Sequence, residues 1–334
     1  VKHGANGLIS RVADSCFWFG RYLERSEAVA RQLQATLGLA LDGELPPRRC
    51  WAPVVVVAGE ESSFRVHVGD HALGDGEAVQ RYLVWDEACA VSLARTAAAA
   101  RENARSIRDV LSGDAWEIVN QLHLWLGETG RAEFERHRDG FYAHVRSATQ
   151  LSLGLLRSTM LHDTVLDFIW LGVLLERVGQ TARLLDVHHH AFGGAGRAHQ
   201  VVETAVWVAL LGACSGVEPF MRAHAGHVTP EAVARFLCAE ARFPRSVAYC
   251  VRSAHERLLS ICPRSLGELP GARGVQRLGQ LTEWVDERAG AVHAASLHAV
   301  LTHVVDETAA ICETIGVELL GYGGPAPEAT PAEA

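Results

Sequence analysis

One segment of this chain occurs twice, and the repeat restricts the possible folds more than any other feature. Trp18-Phe19-Gly20-Arg21-Tyr22-Leu23-Glu24-Arg25-Ser26-Glu27-Ala28-Val29-Ala30-Arg31 aligns without a gap on Trp170-Leu171-Gly172-Val173-Leu174-Leu175-Glu176-Arg177-Val178-Gly179-Gln180-Thr181-Ala182-Arg183, an offset of 152 residues. Trp, Gly, Leu, Glu-Arg, Ala and Arg recur at the same places. Neither copy contains Pro, and each carries a helical apolar period. Val12, Cys16, Phe19, Leu23, Ser26, Ala30, Leu33 and Leu37 form one seam, and Phe168, Leu171, Leu175, Val178, Ala182 and Leu185 form the other. A repeat of this length predicts two halves built on one plan.

Beside each seam runs a second stripe, Gly20, Glu24, Glu27 and Arg31 in the first copy and Gly172, Glu176, Gly179 and Arg183 in the second. Charge next to an apolar seam is costly unless it is paired. Packed as antiparallel neighbours, the two helices would bring Glu24 and Glu176 face to face. Two carboxylates in one pocket raise one pKa, as general acid/base work requires. A buried ion-pair network, with Glu27 and Arg31 as an i,i+4 pair, is the other reading, and the sequence leaves both open. Each Gly one turn before the Glu serves either close helix approach or room for a ligand.

The rest of the chain reads as helix. Of its 334 residues 49% are apolar but only 7% aromatic, with Ala dominant, which favours an all-α fold over a sandwich. The first helix is expected to run to Leu41, capped by Asn6 or Ser10 and stopped before Pro46-Pro47. Val54 to Val57 has strand propensity but no partner strand, and is read as a short helix. Further helices are expected over 77–85, 88–111, 114–126, 131–160, 198–214, 230–241, 244–261, 278–290 and 294–320. Asp163 should cap the second repeat helix, and Thr229 the helix starting at Pro230. A weaker match at an offset of 154 residues aligns Ser92-Leu93-Ala94 and Arg101-Glu102-Asn103 with Ser246-Val247-Ala248 and His255-Glu256-Arg257. On that alignment Glu102 and Glu256 correspond and are candidates to join the acidic set. The expected organisation is a single multi-helix domain over residues 1–322, with halves of about 1–158 and 159–322. A Pro/Ala/Glu tail over 323–334 reads as disordered.

Several functions are excluded or disfavoured. The net charge of −8 argues against nucleic acid as a partner. Without a signal peptide or an apolar run of membrane-spanning length, no membrane partner is expected, and the chain reads as cytoplasmic. The eight cysteines form no Cys-x-x-Cys pair and read as buried reduced thiols. Lys2 is the sole lysine, which removes a Schiff base or a phosphate-loop lysine from the chemistry. A di-metal carboxylate centre would need Glu-x-x-His pairs, absent from both repeat helices. His188-His189-His190, with His199, reads as a satisfied helix-end cluster. His293, His298 and His303 are five apart and share no face. No cofactor or metal ligand is therefore assigned.

Arg11-Val12-Ala13-Asp14-Ser15, followed by the first Glu-Arg run, resembles the opening of the alpha-E family, an all-helical bacterial domain. Arg101-Glu102-Asn103-Ala104-Arg105, Trp116-Glu117 with Asn120, Thr181-Ala182-Arg183-Leu184-Leu185-Asp186-Val187 and Phe243-Pro244-Arg245-Ser246-Val247 are similar to it as well. The resemblance covers nearly the whole chain. Two departures stand out: Gly179 replaces the usual second acid, and the first copy reads Val29-Ala30-Arg31-Gln32-Leu33 in place of Thr-Ala-Arg-Leu-Leu. The resemblance implies an ATP-grasp ligase-like partner, often with a transglutaminase-like protease, and a role in forming or processing amide bonds in small peptides. On that view Glu24, Glu176 and Glu102 are the candidate proton-handling groups. Arg25, Glu27, Arg31, Arg105, Arg177, Arg183 and Glu256 are the candidate substrate-binding ones. The alternative is a non-catalytic helical adaptor that docks the ligase.

Overall fold

The computed structural model describes residues 9–42, 45–192, 200–224, 227–263, 270–291 and 294–322. Lys2, Asn6, His199, His293 and the 323–334 tail lie outside the described residues. Fifteen α-helices and no strands are found among those that are described. They are α1 (Ser10–Leu41), α2 (Pro47–Val57), α3 (Glu61–His67), α4 (Gly76–Trp85), α5 (Leu93–Ser106), α6 (Gly113–Gly127), α7 (Gly130–Arg136) and α8 (Arg138–Thr159). The order continues with α9 (Thr164–Phe192), α10 (Gln200–Ala213), α11 (Val217–His224), α12 (Pro230–Ala239), α13 (Val247–Ile261), α14 (Ala272–Arg288) and α15 (Ala294–Leu319).

The two repeat helices α1 and α9 pack on each other at the centre. Around α1 lie α5 and α8, with α6 bridging them; around α9 lie α13 and α15, with α14 bridging them. The main core cluster runs through both repeat helices, from Cys16, Phe19 and Leu23 to Leu171, Leu175 and Val178. A second cluster under α2, α4 and α8 is built on aromatic contacts, including Phe134 against Phe141 and Phe64 against Tyr82.

Local signals explain several helix ends. The Asp163 carboxylate accepts from the Val165 and Leu166 backbone N–H groups at 3.0 and 3.4 Å, and Thr229 caps α12 as expected. The valine run is helical, because α2 buries Val54, Val55 and Val57 where no strand could pair. Four expectations are corrected. Pro47 does not merely stop α1; it occupies the first turn of α2, where its missing N–H costs nothing. The Ala-rich helix is shorter than 88–111, since the chain turns at Ile107 and Ser112, not Asp114, caps α6. The helix expected over 131–160 breaks at His137, whose φ of −150° and ψ of 77° are not helical. Two helices, α3 and α11, were not expected as separate elements. All eight thiols are free. No single helix among the described residues is long and apolar enough to cross a membrane.

Candidate functional site

The close approach of α1 and α9 is made at the two repeat glycines. A Cβ added at Gly20 would lie 2.1 Å from the Ile169 carbonyl oxygen, and one added at Gly172 would lie 2.1 Å from that of Phe17. The backbones touch, so neither position has room for a side chain and neither glycine leaves ligand space. The two contacts are reciprocal: each glycine meets the residue three places before the other. One turn further along both helices, Arg25 binds Glu176 and Arg177 binds Glu24. Contacts therefore advance in the same direction along both helices, which run side by side in parallel at the crossing. The antiparallel arrangement is corrected on this ground.

Each Glu-Arg dipeptide thus gives its Glu to the arginine of the other copy. Arg25 makes a two-pronged contact, donating Nε to Glu176 Oε1 at 2.7 Å and Nη2 to Oε2 at 2.8 Å. Arg21 adds a bond from Nε to Oε2 at 3.0 Å, and Gln180 donates to Oε1 at 3.0 Å. On the other side Arg177 donates Nε to Glu24 Oε2 at 2.9 Å. Arg245 then bridges two carboxylates, with Nη1 on Glu24 and Nη2 on Glu27 at 2.6 Å. Arg31 and Gln150 complete Glu27 at 2.5 and 2.9 Å, and the Arg31 Nε donates to the Ala213 carbonyl. Glu24, Glu27 and Glu176 are each no more than 1% exposed.

Six arginines surround these three carboxylates, and their charge sets the protonation of Glu27 and Glu176. Burial alone would raise the Glu176 carboxyl, but Arg25 and Arg21 overcome it and hold the group far below the usual carboxylate range. Glu27 behaves the same way under Arg245 and Arg31. The expectation of a raised carboxyl pKa is corrected for Glu176, whose neighbours are arginines and not the Glu24 carboxylate. Burial lowers the Arg31 pKa, reinforced by the like charge of Arg245; burial also lowers that of Arg183, which is half-buried beside Glu176. Among the described residues Arg183 has no hydrogen-bond acceptor.

The structure brings together Glu24, Arg25, Glu27, Arg31, Glu176, Arg177 and Arg183. It leaves out Glu102, Arg105 and Glu256. Glu102 is half-exposed and binds Arg101 and Arg105, because α5 buries the opposite face through Leu93, Ala97, Ala100 and Ala104. Glu256 is exposed on α13, whose inner face is Val247, Cys250, Val251, Ala254 and Leu258. The Arg101 segment has its own structural use, since Arg101 donates to Asn120 at 2.8 Å and lies over the Trp116 ring, tying α5 to α6.

Sequence reasoning missed Arg21, Gln150, Gln180 and Arg245. Arg21 has only Val173 as its counterpart, so the repeat pointed away from it; the structure supplies Arg245 on the other side instead. Arg245 precedes Ser246, which caps α13 by accepting from the Tyr249 N–H at 3.1 Å. Its backbone is fixed from α9, where Thr181 donates to the Arg245 carbonyl at 2.9 Å and Arg177 to that of Pro244 at 3.4 Å. Its place in the family-like Phe-Pro-Arg-Ser-Val segment was the available signal.

Three uncharacterised mycobacterial proteins, one of Mycobacterium bovis and two of Mycobacterium tuberculosis strains, are each 24% identical over 321 residues. The match takes in 87% of this chain and 33% of each relative, so the chain spans about a third of the length of the curated relatives it matches. No solved structure matches. The family model described as "a predicted alpha-helical domain with a conserved ER motif" matches residues 8–318, with Glu24-Arg25 and Glu176-Arg177 as two Glu-Arg pairs inside it. The chain belongs to the Alpha-E family.

Proposed function

We propose that this chain is a non-catalytic helical component that docks an ATP-grasp ligase-like partner in a peptide or amide-bond ligation or processing system. The observation that carries the reading is the saturation of the three buried carboxylates at the helix crossing. A general acid or base must meet its proton within hydrogen-bond reach and titrate near the working pH. Glu27 and Glu176 are held ionised by arginine, and Glu24 is bound by two arginines inside the helix crossing. Such a cluster fastens two helices and does not turn over substrate.

Two further facts support a docking role. An open apolar groove of about 700 Å³ runs between the C-terminal half of α1 and α10, lined by Ala35, Leu39, Ala205, Val208 and Ala209, with Asp42 and Thr204. In its mycobacterial relatives the matching region is a third of a longer chain, as befits a module that works beside others. The nature of the partner rests on the family resemblance. The test is co-purification of the tagged chain with an ATP-grasp ligase-like protein from its own host. A stoichiometric complex is expected, lost in Val208→Arg; failure of the wild-type chain to retain the ligase sinks the proposal.

A second reading has one observation in its favour. Arg21, Arg25 and Arg183 share the single carboxylate of Glu176, and Arg183 has no acceptor among the described residues. An anionic ligand, carboxylate or phosphate, would complete it. Protection of the chain against thermal unfolding by phosphate, abolished in Arg183→Gln, would favour that reading.

A further inference from the structure

We infer that Asp186, His190 and His298 form a site for a first-row divalent transition metal of the zinc class, outside the Glu-Arg cluster. Asp186 and His190 are four residues apart near the C-terminal end of α9, so they share a helix face. His298 reaches them from the second turn of α15, which packs along α9. The three atoms that converge are Asp186 Oδ1, His190 Nε2 and His298 Nδ1. His298 Nδ1 lies 2.9 Å from Asp186 Oδ1 and 2.9 Å from His190 Nε2, and the remaining side of the triangle is 3.6 Å.

Those spacings match a metal site. Ligand atoms about 2.0–2.1 Å from a tetrahedral zinc stand roughly 3.3 Å from one another, which the three observed distances bracket. Hydrogen bonding alone serves the triangle poorly. His298 Nδ1 carries at most one hydrogen, so it can donate to Asp186 or accept from His190, never both. Whichever it does, the other 2.9 Å contact is shared or unpaired. A cation removes the conflict, since all three atoms can then turn lone pairs toward it.

The ligand set also narrows the ion. Two imidazoles and one carboxylate suit zinc, cobalt or nickel, whereas calcium and magnesium require mostly oxygen. The two imidazoles are more than half exposed, at 57% and 58%, so a bound ion keeps at least one position open to water. The ion would also staple α15 to α9. The sequence hides the site because its third ligand is 108 residues from His190 and 112 from Asp186.

The test is titration of the full chain, first stripped with chelator, with Co²⁺ followed by visible absorption and then by Zn²⁺ competition. One equivalent should bind with a ligand-field band, be displaced by Zn²⁺, and raise the unfolding temperature. Asp186→Asn and His298→Gln should each weaken binding by about tenfold or more and remove the thermal shift. His162→Gln, at an exposed histidine elsewhere, should change neither. The altered histidines are exposed and Asp186 is partly so; His190→Gln replaces any variant that loses helical circular dichroism. Absence of a band, or equal affinity in wild type and His298→Gln, would show an adventitious ion only and overturn the assignment.

Discussion

Replacing Glu176 by Gln removes one negative charge from the most arginine-rich part of the helix crossing. The carboxylate is 1% exposed and accepts three bonds from Arg21 and Arg25. Breaking a buried pair by neutralising one partner costs about 3–5 kcal/mol, because the remaining charge is left without a counter-ion. Two features set the value here. Arg21 and Arg25 are 18% and 16% exposed, so they can recover some hydration, and Gln still accepts one bond. Arg183 works the other way, adding a third uncompensated cation. The expected loss is therefore about 3 kcal/mol, the lower end of that range. Urea unfolding followed by circular dichroism reads it as a drop in midpoint at unchanged slope. A loss below about 1 kcal/mol would mean that Glu176 is not structurally paired, and would refute the reasoning.

Other consequences are open to measurement. Gly20→Ala and Gly172→Ala each force a Cβ to 2.1 Å from a backbone oxygen and should cost about 3 kcal/mol or more, whereas Gly154→Ala, with open space around it, should stabilise by about 0.5–1 kcal/mol; thermal unfolding of the three decides. The folded-state pKa values of Glu27 and Glu176 lie below their ordinary value of 4.5, so their contribution is complete above that pH and is lost as pH falls toward the folded values. Stability measured in urea should then fall steadily below about pH 4.5, and a flat profile there would count against the ion network. Fragments 1–160 and 161–334 each carry one partner of every exchanged Glu-Arg pair; each alone should be poorly helical, and co-expression should restore the native spectrum. A fragment that folds fully by itself would contradict the interlocked crossing.

The repeat made the centre of the fold legible, because the seam residues Phe19, Leu23, Leu171 and Leu175 that it identified are all buried in the one core cluster that runs through α1 and α9. Capping chemistry made Asp163 and Thr229 legible, since each acts within three residues of its own position. Direction was not legible. A stripe on one helix says which side is buried but not which way its neighbour runs; the glycine contacts and the exchanged Glu-Arg pairs together set that. Arg245 lies 221 residues from Glu24, so no local pattern joined them. The alignment of Glu102 with Glu256 put both on comparable helices, and both sit on outer faces; that two positions correspond does not say that either is buried. The histidines divided in a way that periodicity concealed: His188 turns back to the Leu184 carbonyl, while His190 turns out toward His298.

The central claim is that the exchanged Glu-Arg pairs fasten helices and do no chemistry. Its most direct test is the double replacement Arg25→Met/Glu176→Met, which removes the carboxylate together with its two-pronged partner, leaves one uncompensated cation fewer than Glu176→Gln, and should be better tolerated than that single replacement. The measurement is ATP consumption by the proposed ATP-grasp partner in the presence of this variant, beside the wild-type chain. The structural account predicts a folded variant that still holds the partner and supports consumption within about twofold of wild type, a difference of roughly 0.4 kcal/mol. A variant that folds and binds the partner but abolishes consumption would contradict the account and return Glu176 to a catalytic role.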